Sequence, residues 1–199
     1  MHPWDYDPAL SKASLCQVAQ LIERGRSIAL DHHAPEIGLN NWSLGGDAYS
    51  CICHQFNRAA GTSGFEWLAV TNSGLQFQFT IGQVPLRFYR GKPSNPSGRT
   101  LAPTDFEQLC FDFGSKILVP GSLFRICYEI DEDGSMLQSY FVAVRNGIVE
   151  DIWPIPLENN VSQVVWFNDD RPEGRELPSP TVKGRRDEGD LDSKNYNEK

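Results

Sequence analysis

The stretch Leu75-Gln76-Phe77-Gln78-Phe79-Thr80-Ile81-Gly82-Gln83-Val84-Pro85-Leu86-Arg87-Phe88 decides the fold class of this chain. Apolar residues take alternate positions from Leu75 to Ile81 and again from Val84 to Phe88, the period of a strand with one buried face. Gly82-Gln83 suits a two-residue hairpin turn with glycine first. In that register Ile81 faces Val84, Phe79 faces Leu86 and Phe77 faces Phe88, so every pair is apolar. Gln76, Gln78, Arg87 and Tyr89 then share the opposite, outward face. A slip of one residue would exchange the two faces, so turn and pattern support the same pairing.

Working outward, the pattern changes to the helical period on the N-terminal side. From Pro8 to about Asp31, Leu10, Val18, Leu21, Ile22, Ile28 and Ala29 fall in one stripe at about 100° per residue. A second helix is expected from about Ser43 or Asp47 to Ala60, with Tyr49, Ile52, Cys53, Phe56 and Ala60 on its apolar face. Phe65 to Val70 reads as a strand that enters the hairpin through an Asn72-Ser73-Gly74 turn. On the C-terminal side, Pro103 and a Thr104-x-x-Glu107 capping box introduce a short helix, with Phe106, Leu109, Cys110 and Phe113 on one side. Three strands complete the pattern: Phe124 to Ile130, Leu137 to Arg145 and Ile148 to Trp153, with turns at Asp133-Gly134 and Asn146-Gly147. Local hairpins favour an α+β fold: an antiparallel sheet of about five or six strands, two N-terminal helices and one short inserted helix, the helices on one face.

Composition sets the outer limits. With 199 residues, 40% hydrophobic and 11% aromatic, the chain has enough apolar surface for one core. A single α+β domain is expected over residues 1–157. Residues 158–199 carry 10 acidic and 7 basic side chains and read as an acidic tail, disordered after about residue 168. Within it Val164-Val165-Trp166-Phe167 forms an apolar island followed by Asp169-Asp170. A formal charge of −8 argues against general nucleic-acid or anionic-membrane binding. No apolar run approaches the ~20 residues of a membrane span. Five cysteines, an odd number, and a start without a signal-peptide pattern suit a reduced cytoplasmic protein.

Several motifs invite chemical readings. Asp31-His32-His33 with Glu36 is the densest group of catalytic residue types, suited to proton exchange or a divalent metal. Its position at a helix C-terminus also explains it, because imidazolium is favoured beside the exposed carbonyls there. Cys51-x-Cys53-His54 is a poor zinc motif, since the two cysteines lie about 200° apart on a helix. Asp131-Glu132-Asp133-Gly134 lacks the bidentate glutamate of a calcium loop. Gly91-Lys92-Pro93-Ser94 lacks the phosphate-loop order. No metal or cofactor is expected.

Arg87, Arg90, Lys92 and Arg99 stand out against the acidic background, with no acidic residue between Gln83 and Thr104. Beside Tyr89 they form a basic, semi-rigid loop able to hold an anionic partner. Trp166 and Phe167 are the candidates in the tail: their island either packs back on the domain as an added edge strand, or docks into a partner by strand addition or as an aromatic anchor. The sequence therefore favours a non-enzymatic interaction module, a regulatory, immunity or antitoxin-like protein whose partner is another protein. The alternative is a small metal-dependent hydrolase or nuclease-like enzyme using Asp31, His32, His33 and Glu36.

Overall fold

The structure, a computed structural model, describes residues 1–112 and 121–157. The expected boundary after residue 157, the acidic tail and the candidates Trp166 and Phe167 lie outside the described residues, as does Phe113. The chain begins with a short helix α1 (Pro3–Tyr6), then α2 (Lys12–Asp31) and α3 (Asn41–Ala59), joined through a 3₁₀ turn at Pro35–Ile37. Strands β1 (Leu68–Asn72), β2 (Gln78–Ile81) and β3 (Val84–Arg90) follow. Helices α4 (Gly98–Leu101) and α5 (Asp105–Asp112) then lead to β4 (Ser122–Ile130), β5 (Met136–Arg145) and β6 (Ile148–Ile155).

The six strands form one sheet in sequential order. Every neighbouring pair is antiparallel except β3 and β4, which run parallel. The fold is thus mixed α and β, with a mostly antiparallel sheet. The hairpin has the expected register, Ile81 opposite Val84 and Phe79 opposite Leu86, with Gly82 at φ 60°. Pro85 sits opposite Thr80, a place in the ladder where the missing proline N–H takes nothing from β2. Asn146, at φ 52°, turns β5 into β6 as the Asn-Gly pair predicts.

Helices α2 and α3 cover one face. Leu15, Val18, Ile22, Ile52 and Phe56 share a core with Phe79, Leu86, Phe124, Ile126 and Phe141. The two helices touch closely at Gly25, where an added Cβ would stand 2.6 Å from the Ile52 Cα. Ser11 caps α2, accepting from the Ser14 N–H at 3.1 Å, so the helix begins at Lys12, four residues later than the expected Pro8. Asn40 caps α3 and lets it begin at Asn41 rather than at Ser43 or Asp47.

Four expectations are corrected. The sheet is not wholly antiparallel, and its helices do not lie on one face. Both departures have one cause. Parallel strands cannot be joined by a tight turn, so the chain must cross over the sheet between β3 and β4. That crossing carries α4 and α5 onto the second face, where Leu101 meets Leu123, Cys127, Val142 and Val144. Helix α5 has the predicted capping box: the Thr104 N–H donates to Glu107 Oε2 at 2.8 Å and the Glu107 N–H to Thr104 Oγ1 at 3.3 Å. Gln78 therefore does not face solvent. It is 1% exposed and accepts from Thr104 Oγ1 at 3.1 Å. Leu75, expected on the buried strand face, precedes β2 and is 86% exposed. Among the described residues no helix is long and apolar enough to cross a membrane.

Candidate functional site

Strand β3 is longer than its neighbour on one side. Pairing with β2 ends at Phe79 and Leu86, whereas pairing with β4 continues to Arg90 and Tyr128. Among the described residues the half-strand Arg87–Arg90 therefore has a strand on one flank and a cavity on the other. That cavity, about 540 Å³, is lined by Arg87, Tyr89, Arg90, Arg99, Tyr49 and Tyr128, with Trp42 and Leu75 at its rim. Trp42 is 88% exposed, on the first turn of α3.

Local chemistry holds this shape. The Tyr49 hydroxyl donates to the Leu75 carbonyl at 2.9 Å and accepts from the Phe77 N–H at 3.0 Å, so α3 fixes the chain that enters β2. The Asn40 side chain accepts from the Trp42 and Ser43 N–H groups at 2.9 and 3.1 Å, which fixes the turn carrying Trp42. On the second face Arg87 Nη1 donates to the Ala102 carbonyl at 3.3 Å. Cys127 Sγ donates to the Gly91 carbonyl at 3.0 Å, and the Gly91 N–H returns a bond to the Tyr128 carbonyl at 3.1 Å, anchoring the basic loop to β4.

Four of the five basic-loop candidates, Arg87, Tyr89, Arg90 and Arg99, line this one cavity. Lys92 lines a second cavity of about 670 Å³, which also holds Arg26, Leu30, His33, Asn41, Arg90 and the Glu129–Gly134 turn. Arg90 and Asn41 belong to both, so the cavities adjoin. Among the described residues none of Arg87, Arg90, Lys92 and Arg99 has an ion pair.

The site's electrostatics suit recognition of anions and carbonyls. Burial raises the Tyr89 and Tyr128 phenols, and it lifts the Cys127 thiol to about 11. At neutral pH these groups are uncharged donors rather than nucleophiles. Burial, then the neighbouring Arg125, lowers the Arg87 guanidinium, which stays charged at neutral pH all the same.

The Asp31 cluster is arranged differently. Asp31, His32 and Glu36 are exposed around the end of α2, and His33 alone turns towards the second cavity. Among the described residues no group of three or more His, Cys, Asp or Glu side chains is placed to hold a metal. Cys53 is buried in the core, Cys51 is half-buried and His54 is exposed, which follows the helical separation of the two cysteines.

Sequence reasoning missed Trp42, Leu75, Tyr49 and Arg26 as cavity residues. For Arg26 a signal was present: it lies four residues after Ile22 and three before Ala29, inside the apolar stripe of α2. Trp42 and Leu75 gave none: Trp42 lies just before the expected helix start, and Leu75 reads as an ordinary apolar member of its strand. The chain matches no family model, no curated protein and no solved structure. Its class is therefore defined by its own architecture: a helix-covered mixed sheet with a basic, aromatic groove beside a half-paired strand.

Proposed function

We propose that this chain is a non-enzymatic protein-interaction module of the cytoplasm, and that it takes an extended acidic segment of a partner protein along the open flank of β3. One observation carries the reading: among the described residues Arg87–Arg90 lacks a strand on the side where Trp42, Leu75, Arg90 and Arg99 converge. A strand flank supplies main-chain hydrogen bonds to an added strand, and neighbouring pockets read its side chains. Exposed tryptophan beside arginine is the composition of an interface hot spot. The whole chain is acidic, but charges beyond about 8–10 Å are screened at physiological salt, so the nearby arginines set the sign that a docked segment meets. The narrower class, a regulatory, immunity or antitoxin-like protein, rests on size, acidity and the lack of a catalytic motif in the sequence.

The test begins with co-purification of an untagged neighbouring-gene product, followed by affinity measurements on variants. Trp42→Ala and Leu75→Ser should each weaken the complex severalfold and leave the melting temperature within about 2 °C of the parent, because both side chains are exposed. Unchanged affinity in both would end the proposal for this groove. A tightly held metal equivalent in untagged, dialysed protein would support the hydrolase reading instead.

A further inference from the structure

We infer that the second cavity, beside the basic groove, is a carboxylate-binding site organised around Arg26. Arg26 is 2% exposed, yet among the described residues no acid pairs with it. Its Nε donates to the Gly134 carbonyl at 2.6 Å, whereas its Nη1 is buried without a hydrogen-bond partner among the described residues. Seven residues on, His33 Nδ1 is likewise buried and unpartnered. Both residues line the same cavity of about 670 Å³, together with Arg90 and Lys92.

The chain provides its own comparison. Arg125 is just as buried, but it is bonded to both Glu107 oxygens, at 2.5 and 3.2 Å, and to the Thr100 and Phe124 carbonyls, each at 2.8 Å. A buried guanidinium without such partners is a standing cost, and a ligand anion removes it. The acids around the cavity do not serve. Glu129 accepts from the Tyr140 hydroxyl at 3.0 Å, Asp131 from the Glu132 N–H at 2.7 Å and Asp133 from Ser135. None of them forms an ion pair with Arg26.

Those same acids set the ligand's charge. Glu129, Asp131, Glu132 and Asp133 at the margin oppose a phosphate dianion more than a singly charged carboxylate, whose oxygen can accept from the unpartnered Arg26 Nη1. Because Arg90 borders both cavities, an acidic side chain of a segment lying along β3 has a short path to Arg26. That source rests on the function proposed above; a free small carboxylate offers the same chemistry.

The experiment follows the arginine Nε–H resonances of the full-length protein by NMR. Succinate and a short glutamate peptide are titrated at matched ionic strength, with phosphate and chloride as controls. Saturable movement of the Arg26 resonance by succinate or peptide is expected, several-fold tighter than by phosphate. Tighter peptide binding would identify a polypeptide source, and succinate binding alone a small-molecule one. Arg26→Gln should weaken binding roughly tenfold or more. Should that variant not fold, Arg90→Gln on the exposed rim gives a second measure, with a severalfold loss expected. No saturable shift, an equal shift with chloride, or full affinity in folded Arg26→Gln or Arg90→Gln would overturn the inference. Succinate binding in a protein whose Trp42 and Leu75 variants keep partner affinity would leave this site standing and remove the groove.

Discussion

At the scale of single residues, position in the fold has changed what two polar side chains do. Asp151 on β6 accepts from the Tyr6 hydroxyl and from the Met1 ammonium, and these two contacts hold its carboxyl below the usual range. A depressed carboxyl contributes stability that is full above its unfolded value, near pH ~4, and is lost as pH falls through the folded value. Asp151→Asn should therefore melt below the parent at neutral pH, and the gap should close in acid. The pair is partly exposed, so the neutral-pH effect should stay under ~1 kcal/mol; thermal melts across the acid range measure it. Gln78 differs in being sealed beneath the crossover. Gln78→Ala removes its bond to Thr104 and leaves a void, an expected loss of ~1–2 kcal/mol in urea unfolding. Phe79→Ala, one residue on and fully buried against Phe56, should lose about 3–5 kcal/mol. A Gln78 variant indistinguishable from the parent would mean that α5 does not cover that face in solution.

Between elements, two contacts bind the helices to their places. Gly25 lets the α2 and α3 backbones meet, and an alanine Cβ there would lie 2.6 and 2.7 Å from the Ile52 Cα and N. Backbone atoms cannot rotate aside, so the helices must part. Gly25→Ala is expected to destabilise by roughly 1–3 kcal/mol, even though alanine gains ~1 kcal/mol in helix propensity. A higher denaturation midpoint would contradict this packing. On the second face, the buried Glu107 and Arg125 pair joins α5 to β4. Glu107→Ala leaves Arg125 charged and without its carboxylate, an expected loss of about 3–5 kcal/mol, whereas Glu107→Leu with Arg125→Met should lie much nearer the parent. Chemical denaturation of the single and double variants separates an obligatory pair from one that apolar packing can replace.

For the molecule as a whole, a formal charge of −8 coexists with a local basic rim. Neutralising Arg87, Arg90 and Lys92 together should slow association with an acidic partner and flatten its salt dependence, with the smaller effect on dissociation. Stopped-flow measurements at two salt concentrations test this, and an unchanged association rate would separate the rim from the binding step. The hairpin, the Thr104 capping box, the Asn146-Gly147 turn and the apolar faces of α2 and α3 were legible in the sequence. Each depends on residues within a few positions of one another, where periodicity and turn geometry act directly. The parallel pairing of β3 with β4 was not legible. It joins residues separated by the whole crossover, and Val84–Phe88 alternates identically beside either kind of partner. The same limit applies to the site. Clustered charge marked Arg87, Arg90, Lys92 and Arg99, but only the tertiary arrangement showed where β2 stops beside β3. The sequence by itself determined the hairpin turn and its register, the capping box, the apolar faces of α2 and α3 and which loop is basic, because those are local properties. The tertiary structure alone decided that Gln78 is sealed, that Trp42 and Leu75 border the basic groove and that Arg26 is buried without an acid among the described residues, because each depends on chain segments that meet only after folding.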